Sequence, residues 1–416
     1  MEIHLKYGKG VMRAVLPGGW HVEELQAPKK LPIPDPRDRL AAFLDSPVHG
    51  EPFNTVFEGK KNVAVIVPDI TRKAGVAEIL PVVLERLEEC GIGSANITII
   101  FATGIHPAQT AEQMKQVAGE AVFERYACIG HDCREAMGKI GGVQVNRHVA
   151  SADGKIIIGG VKMHYLAGFG GGRKAILPGV TSYEECMAFH RLCLNPSGPG
   201  RHPGIGPGNL RGNPMHERAT AWARSAGVDF LVNTVLDEAG DFIFINAGDL
   251  EASFEQACRF AAEYEAVPIA EKFDVVIASC GGFPADINFI QSHKSLDAAC
   301  RAVQPGGAVL LVAECSAGVG NADFLKWFDH GNAAAMDAAL RRNFVINGQT
   351  AFATREKTEM ARVFLLSGLN PEDVLRMGMT HVASLEEGMA RCLETAGPAA
   401  RAAIIHDGGL VMPIPR

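Results

Sequence analysis

The chain has no pair of cysteines at C-x-x-C spacing; its ten cysteines are scattered from Cys90 to Cys392. That scatter argues against a structural zinc site, and a chain of this length does not call for a disulfide framework. The cysteines read instead as small buried hydrophobes. Nor is there a run of about 18 uncharged apolar residues, so no membrane-spanning helix is expected. The opening MEIHLKYGKG holds no apolar signal core, and the expected location is the cytoplasm. A basic surplus is absent too. With a net charge of -7 and no clustered Lys/Arg stripe, a nucleic-acid partner is not expected.

Hydrophobic residues at 47% and charged residues at 21% support a packed core. At 416 residues the chain exceeds the size at which single cores stop growing, so two domains are expected. Apolar runs rich in β-branched residues lie at 62–69 (NVAVIVPD), 96–104 (NITIIFATG) and 155–160 (KIIIGG) and predict buried strands. Between the first two, Ile79, Leu80, Val83, Leu84 and Leu87 recur at helical spacing, which predicts a helix over 76–90 despite Pro81. Strand, helix, strand implies a parallel α/β unit.

Thr110 and Gln113 have the form of a capping box, so a helix starts just beyond the strand ending in ATGIH. Asp69 and Arg72, in PDITR, and His106 thus follow the carboxyl ends of two strands, where ligand clefts of open α/β sheets form. The Gly/Pro-dense stretch 198–214 predicts a long loop, read as a lid or a subunit contact. A second alternation runs through a strand at 273–280, a helix after Ser295, a strand at 308–312 and a last strand near 402–406. The boundary between the two halves is placed near 266–271.

The densest segment is GGVKMHYLAGFGGGRKAILPGVTSYEECMAFHR, residues 159–191. Glycines at 168, 170, 171 and 172 permit close backbone approach to a ligand, and Arg173 and Lys174 add positive charge suited to a phosphate. Two phosphate motifs nevertheless fail. A P-loop needs Gly-Lys-Ser/Thr where this chain has Gly172-Arg173-Lys174, and the dinucleotide fingerprint finds Arg173 where its third glycine belongs. His164 stands ten positions before Lys174 and His190 sixteen after it, so three residues able to bind metal, move protons or form covalent bonds bracket the loop.

This arrangement resembles the nickel-dependent lactate racemase family. The resemblance implies a nickel-pincer nucleotide, a pyridinium mononucleotide whose ring carbon and two sulfurs hold nickel. It also implies that Lys174 is its covalent anchor through a thioamide, His190 the protein ligand to nickel, and Gly170, Gly171, Gly172 and Arg173 contacts to it. PDITR is similar to the family's D-x-T-R element, which makes Asp69 a cofactor contact and Arg72 a clamp for the substrate carboxylate. His106 and His164 match the two catalytic acid/bases, and in DINFIQSHKSLDAA Gln291 and Lys294 match substrate contacts. The matching segments run in family order from about Pro68 to Asp297. Pro107 departs from the pattern, standing where many relatives have an arginine, and no tryptophan falls among 349–354; both bear on substrate identity.

The resemblance implies an α/β fold of two domains, each with a mainly parallel sheet flanked by helices, and an active site in the cleft between them. Residues 1–268 are expected to bind cofactor and catalyse, and 269–408 to close the substrate pocket, with the tail of about 409–416 returning to the first domain. The implied reaction racemises or epimerises a small, lactate-like 2-hydroxy acid by moving hydride from the α-carbon to the cofactor and back, while one histidine takes the hydroxyl proton. Histidine suits that task because its pKa starts near 6.5. Enzymes that build the cofactor are the implied partners. The competing readings are an NAD-dependent 2-hydroxy acid dehydrogenase, disfavoured by the failed fingerprint, and a noncatalytic binding or cofactor-carrying protein, which would need no acid/base pair. His131, His202 and His293 neighbour these motifs and are left without a role.

Overall fold

The computed structural model describes residues 1–135 and 137–415. The chain forms two compact units. One comprises Lys29–Cys193 and His202–Glu263; the other comprises Met1–Pro28, Leu194–Arg201 and the residues from Tyr264 on.

The first unit is built on a six-stranded sheet in the order Phe242–Gly248, Phe230–Leu236, Gly154–Gly160, Val63–Pro68, Ile97–Ala102, Ala127–Gly130. Only the Phe242–Gly248 edge runs antiparallel. The strand Val63–Pro68 reads VAVIVP with no polar alternation because both its faces are covered, as parallel sheets require. The helix Val76–Glu89 lays Ile79, Leu80, Val83, Leu84 and Leu87, each 1% exposed or less, against the sheet. Burying each such side chain contributes about 1.5–3 kcal/mol, and the five together outweigh the roughly 3 kcal/mol that a proline inside a helix costs. The capping box at Thr110 is present, and the helix it starts spans Ala111–Ala118.

The second unit carries a wholly parallel six-stranded sheet, in the order Thr380–Val382, Arg362–Leu366, Val303–Val312, Phe273–Ser279, Arg401–Ile405, His21–Leu25. The first 28 residues therefore belong with the C-terminal half, not with the expected 1–268 domain. The reason is physical: Ile3, Leu5, Ala14, Leu16 and Trp20 are buried in the core of that sheet, and His21–Leu25 forms its edge. The tail strand Met412–Pro415 pairs with Ala266–Ile269, at the end of the expected first domain, and both strands lie in this second unit; Arg416 lies outside the described residues. The helix expected after Ser295 starts earlier and spans Phe289–Ala302, because the Asn288 side chain caps it by accepting from the Gln291 amide. Among the described residues no helix is long and apolar enough to cross a membrane.

Candidate active site

Three adjacent parallel strands of the first unit, Val63–Pro68, Ile97–Ala102 and Gly154–Gly160, end in the segments that carry Asp69, His106 and the glycine loop. Their carboxyl ends bring these segments to one edge of the sheet. Asp69 is buried. Its Oδ1 accepts from the Thr71 amide at 2.9 Å and the Thr71 hydroxyl at 2.5 Å, while Oδ2 lies 2.8 Å from His106 Nδ1. Burial alone would raise the Asp69 carboxyl, but the His106 hydrogen bond and the charge of Arg72 outweigh it and hold the group below its usual value. An ionised carboxylate only accepts, so His106 donates through Nδ1–H and its Nε2 carries the lone pair. Arg72 is exposed.

The strand end at Gly160 leads into a short antiparallel ribbon, Met163–His164 with Gly168–Phe169, then a single 3-10 turn, Gly172–Ala175, that holds Lys174. Gly171 has φ of 74°, and a β-carbon there would lie 2.5 Å from the Gly160 carbonyl oxygen, so backbone packs on backbone at this point. Gly170 spends its N–H on the Lys162 carbonyl at 2.8 Å. Arg173 differs from its expected part as a cofactor contact. At 1% exposure, its guanidinium points inward to the carbonyls of Ala167 (2.8 Å) and Phe169 (2.9 Å), donates to His216 Nδ1 (3.1 Å) and stacks 4.3 Å from the Phe254 ring centre. It braces the loop from behind. Asn213, fully buried, adds a second brace by donating to the Leu166 carbonyl at 2.8 Å.

Lys174 is half-buried, and its ammonium is pushed well below its ordinary value by burial first and then by the charges of Arg72 and Arg173. His190 sits in the helix Tyr183–Arg191, which Ser182 caps. Burial, and to a lesser degree the charge of Lys174, push its imidazole down to about 4, while the bond to the Cys186 carbonyl works the other way. That 2.8 Å bond takes the hydrogen on Nδ1 and leaves Nε2 as a neutral ligand nitrogen, the arrangement that metal-binding histidines use. His164 differs again: its Nδ1 accepts the amides of Leu166 (3.1 Å) and Ala167 (3.2 Å).

In the second unit Gln291 and Lys294 lie one turn apart on the helix Phe289–Ala302, joined by a 2.7 Å bond from Lys294 Nζ to Gln291 Oε1. Behind them the helix buries His293 and Asp297, and Asp297 pairs with Lys357 at 3.0 Å and Arg301 at 3.1 Å. The segment 349–354 is buried helix, and the aromatic beside it comes from elsewhere: a β-carbon on Gly348 would meet the Trp327 ring. His131 is structural, bridging the Thr181 carbonyl at 3.0 Å and the Asn146 amide at 3.3 Å. The His202 ring accepts the Gly204 amide within the Gly/Pro-dense loop. Sequence reasoning missed the braces Asn213 and His216. Asn213-Pro214 does mark a helix start, but nothing local ties it to a carbonyl 47 residues away.

Comparison of the chain with known proteins points to one family. A model of the lactate racemase N-terminal domain matches residues 7–199 and one of the C-terminal domain matches residues 269–412. The chain is 34% identical over 299 residues to a lactate racemase of Thermoanaerobacterium thermosaccharolyticum, covering 70% of this chain and 68% of that protein. It is 31% identical over 390 residues to a lactate racemase of Lactiplantibacillus plantarum, covering 89% of each. The solved structure of the lactate racemase apoprotein from Thermoanaerobacterium thermosaccharolyticum matches with a TM-score of 0.87 at 28% identity over 100% of both chains. A protein from Thermotoga maritima, at 16% identity and a TM-score of 0.65 over 93% of this chain and 100% of that one, shares the fold alone. On the domain matches and these identities, the chain belongs to the lactate racemase family and with it to the isomerases.

Proposed function

We propose that this protein racemises or epimerises a small 2-hydroxy acid of the lactate type, using a nickel-pincer nucleotide joined to Lys174. The observation that carries the reading is the pairing of Lys174, a half-buried amine on which only positive charges act, with His190, a neutral histidine whose Nε2 is left as a ligand. Burial beside positive charges disfavours the protonated amine and so favours the nucleophilic form fit for covalent attachment. The residues present fit the group in a second respect. Among the described residues no cluster of three or more His, Cys, Asp or Glu side chains could hold a metal, so a metal at His190 needs donors from a bound organic group.

When bound, that group supplies an acceptor for hydride from the α-carbon and a donor for its return. The protein does the rest. Arg72 offers a planar fork to the substrate carboxylate, and Gln291 and Lys294 are read as further substrate contacts. Asp69, ionised, steadies His106 while Nε2 takes the hydroxyl proton, and His164 serves the opposite hand of the substrate. The glycine loop, braced by Arg173 and Asn213, holds Lys174 in place.

The test is coexpression with cofactor-building enzymes, followed by chiral analysis of lactate, nickel determination and peptide mass spectrometry. Racemisation, bound nickel and a mass adduct on the Lys174 peptide are expected, and Lys174→Ala should lose all three. An active enzyme whose Lys174 peptide is unmodified would overturn the anchor. Inert lactate with active longer 2-hydroxy acids would move the substrate but keep the reaction.

A further inference from the structure

His106 and His164 are matched to equivalent acid/base roles, yet the two rings are built differently. His106 Nδ1 faces the Asp69 carboxylate oxygen at 2.8 Å, an acceptor, so the hydrogen resides on Nδ1 and Nε2 is basic. His164 Nδ1 faces two backbone amides, Leu166 N at 3.1 Å and Ala167 N at 3.2 Å. Amides only donate, so this Nδ1 holds a lone pair and the neutral ring keeps its hydrogen on Nε2. The turn that imposes this is held from its other side as well: Asn213 Nδ2 grips the Leu166 carbonyl at 2.8 Å and Arg173 Nη2 the Ala167 carbonyl at 2.8 Å, both from buried side chains. Moving the hydrogen to Nδ1 would set it against two amide hydrogens in a turn that cannot swing away.

We propose that the two histidines are held in opposite tautomers and are therefore not interchangeable: His106 Nε2 is the proton acceptor, and His164 presents a neutral Nε2–H donor. This rests on the acid/base reading of the pair. For the enantiomer whose hydroxyl meets His106, Nε2 would take the O–H proton while the bound group supplied the acceptor for the α-hydrogen and its electron pair, leaving a 2-oxo acid. The resulting imidazolium is stabilised by Asp69. For the other enantiomer the hydroxyl meets a nitrogen that already carries hydrogen, so His164 must first leave its turn or change tautomer. Oxidation of the two hands is then unequal in a single turnover, although the overall equilibrium is not.

Two measurements decide this. Two-bond proton–nitrogen NMR of the full-length apoprotein labelled with [15N]histidine, in mildly alkaline buffer, reads each ring's tautomer; His106→Gln and His164→Gln assign the signals. Nδ1–H for His106 and Nε2–H for His164 are expected, and an Nδ1–H or averaged His164 overturns the proposal. In the holoenzyme, 2-oxo acid formed in one turnover from pure D- and pure L-lactate should differ in rate by about 10² or more, the span of one general base. His106→Gln should abolish that advantage. His164→Gln, which keeps an N–H donor, should slow the faster hand by no more than about tenfold, a small share of what a general base supplies. Equal rates from both hands, each needing its own histidine, would sink the tautomer proposal and leave the acid/base reading intact. Rates indifferent to both substitutions would sink the acid/base reading itself.

Discussion

Arg173 follows a run of glycines, and in sequence that neighbourhood assigns it to a phosphate; in three dimensions its guanidinium turns back into the protein. The sequence carries the charge but not its direction, because direction depends on Phe254 and His216, which lie 81 and 43 positions away. A fork that meets three carbonyls, an imidazole and a ring at once has no lysine equivalent. Arg173→Lys should therefore destabilise the apoprotein by about 3 kcal/mol or more, since buried acceptors left unpaired cost about 1–3 kcal/mol each. Urea unfolding measures this, and a shift within about 0.5 kcal/mol, the range of an ordinary surface substitution, would mean the brace is dispensable. Asp69 is the opposite case: its place after a strand was legible, and so was its nearness to His106, because both strand ends face one edge of a parallel sheet. What no spacing could show is that Asp69 sets the hydrogen of His106 and that a turn sets the hydrogen of His164.

At the scale of elements, buried apolar strands and the helix Val76–Glu89 were legible because their burial is continuous. The helix Phe289–Ala302 was legible only in part, since its first turn holds the polar Gln291 and Ser292 and its start rests on one side-chain cap at Asn288. That helix hides an ionic layer. Burial first, then the charges of Lys357 and Lys294, push the His293 imidazole down to about 3. The unfolded chain, with a value near 6.5, takes up a proton below that pH, whereas the folded ring refuses it down to about 3. Stability is therefore full above about pH 6.5 and declines as pH falls toward 3. Between pH 7 and pH 5 this one group should cost about 2 kcal/mol. His293→Leu should flatten the pH dependence of the urea midpoint by that amount; an unchanged slope would show that the ring is protonated in the fold.

At the scale of the whole molecule, the sheet that His21–Leu25 joins was not legible, because its partner strand Arg401–Ile405 lies at the far end of the chain. Deleting residues 1–28 removes Ile3, Leu5 and Trp20 from a core and strips the edge of a parallel sheet. The shortened chain should express largely as aggregate, with the C-terminal half cut rapidly by protease and the segment 29–263 more resistant. A soluble, protease-resistant product of native activity would count against it. The same pairing bears on birth as well as on stability. Residues 21–25 leave the ribosome first but have no neighbour until residues 401–405 emerge, a wait of about 20 to 75 s at ordinary bacterial or eukaryotic synthesis rates. Throughout that interval the inserted segment 29–263 can complete its own sheet, so the nascent chain would carry a finished middle between two unfinished ends.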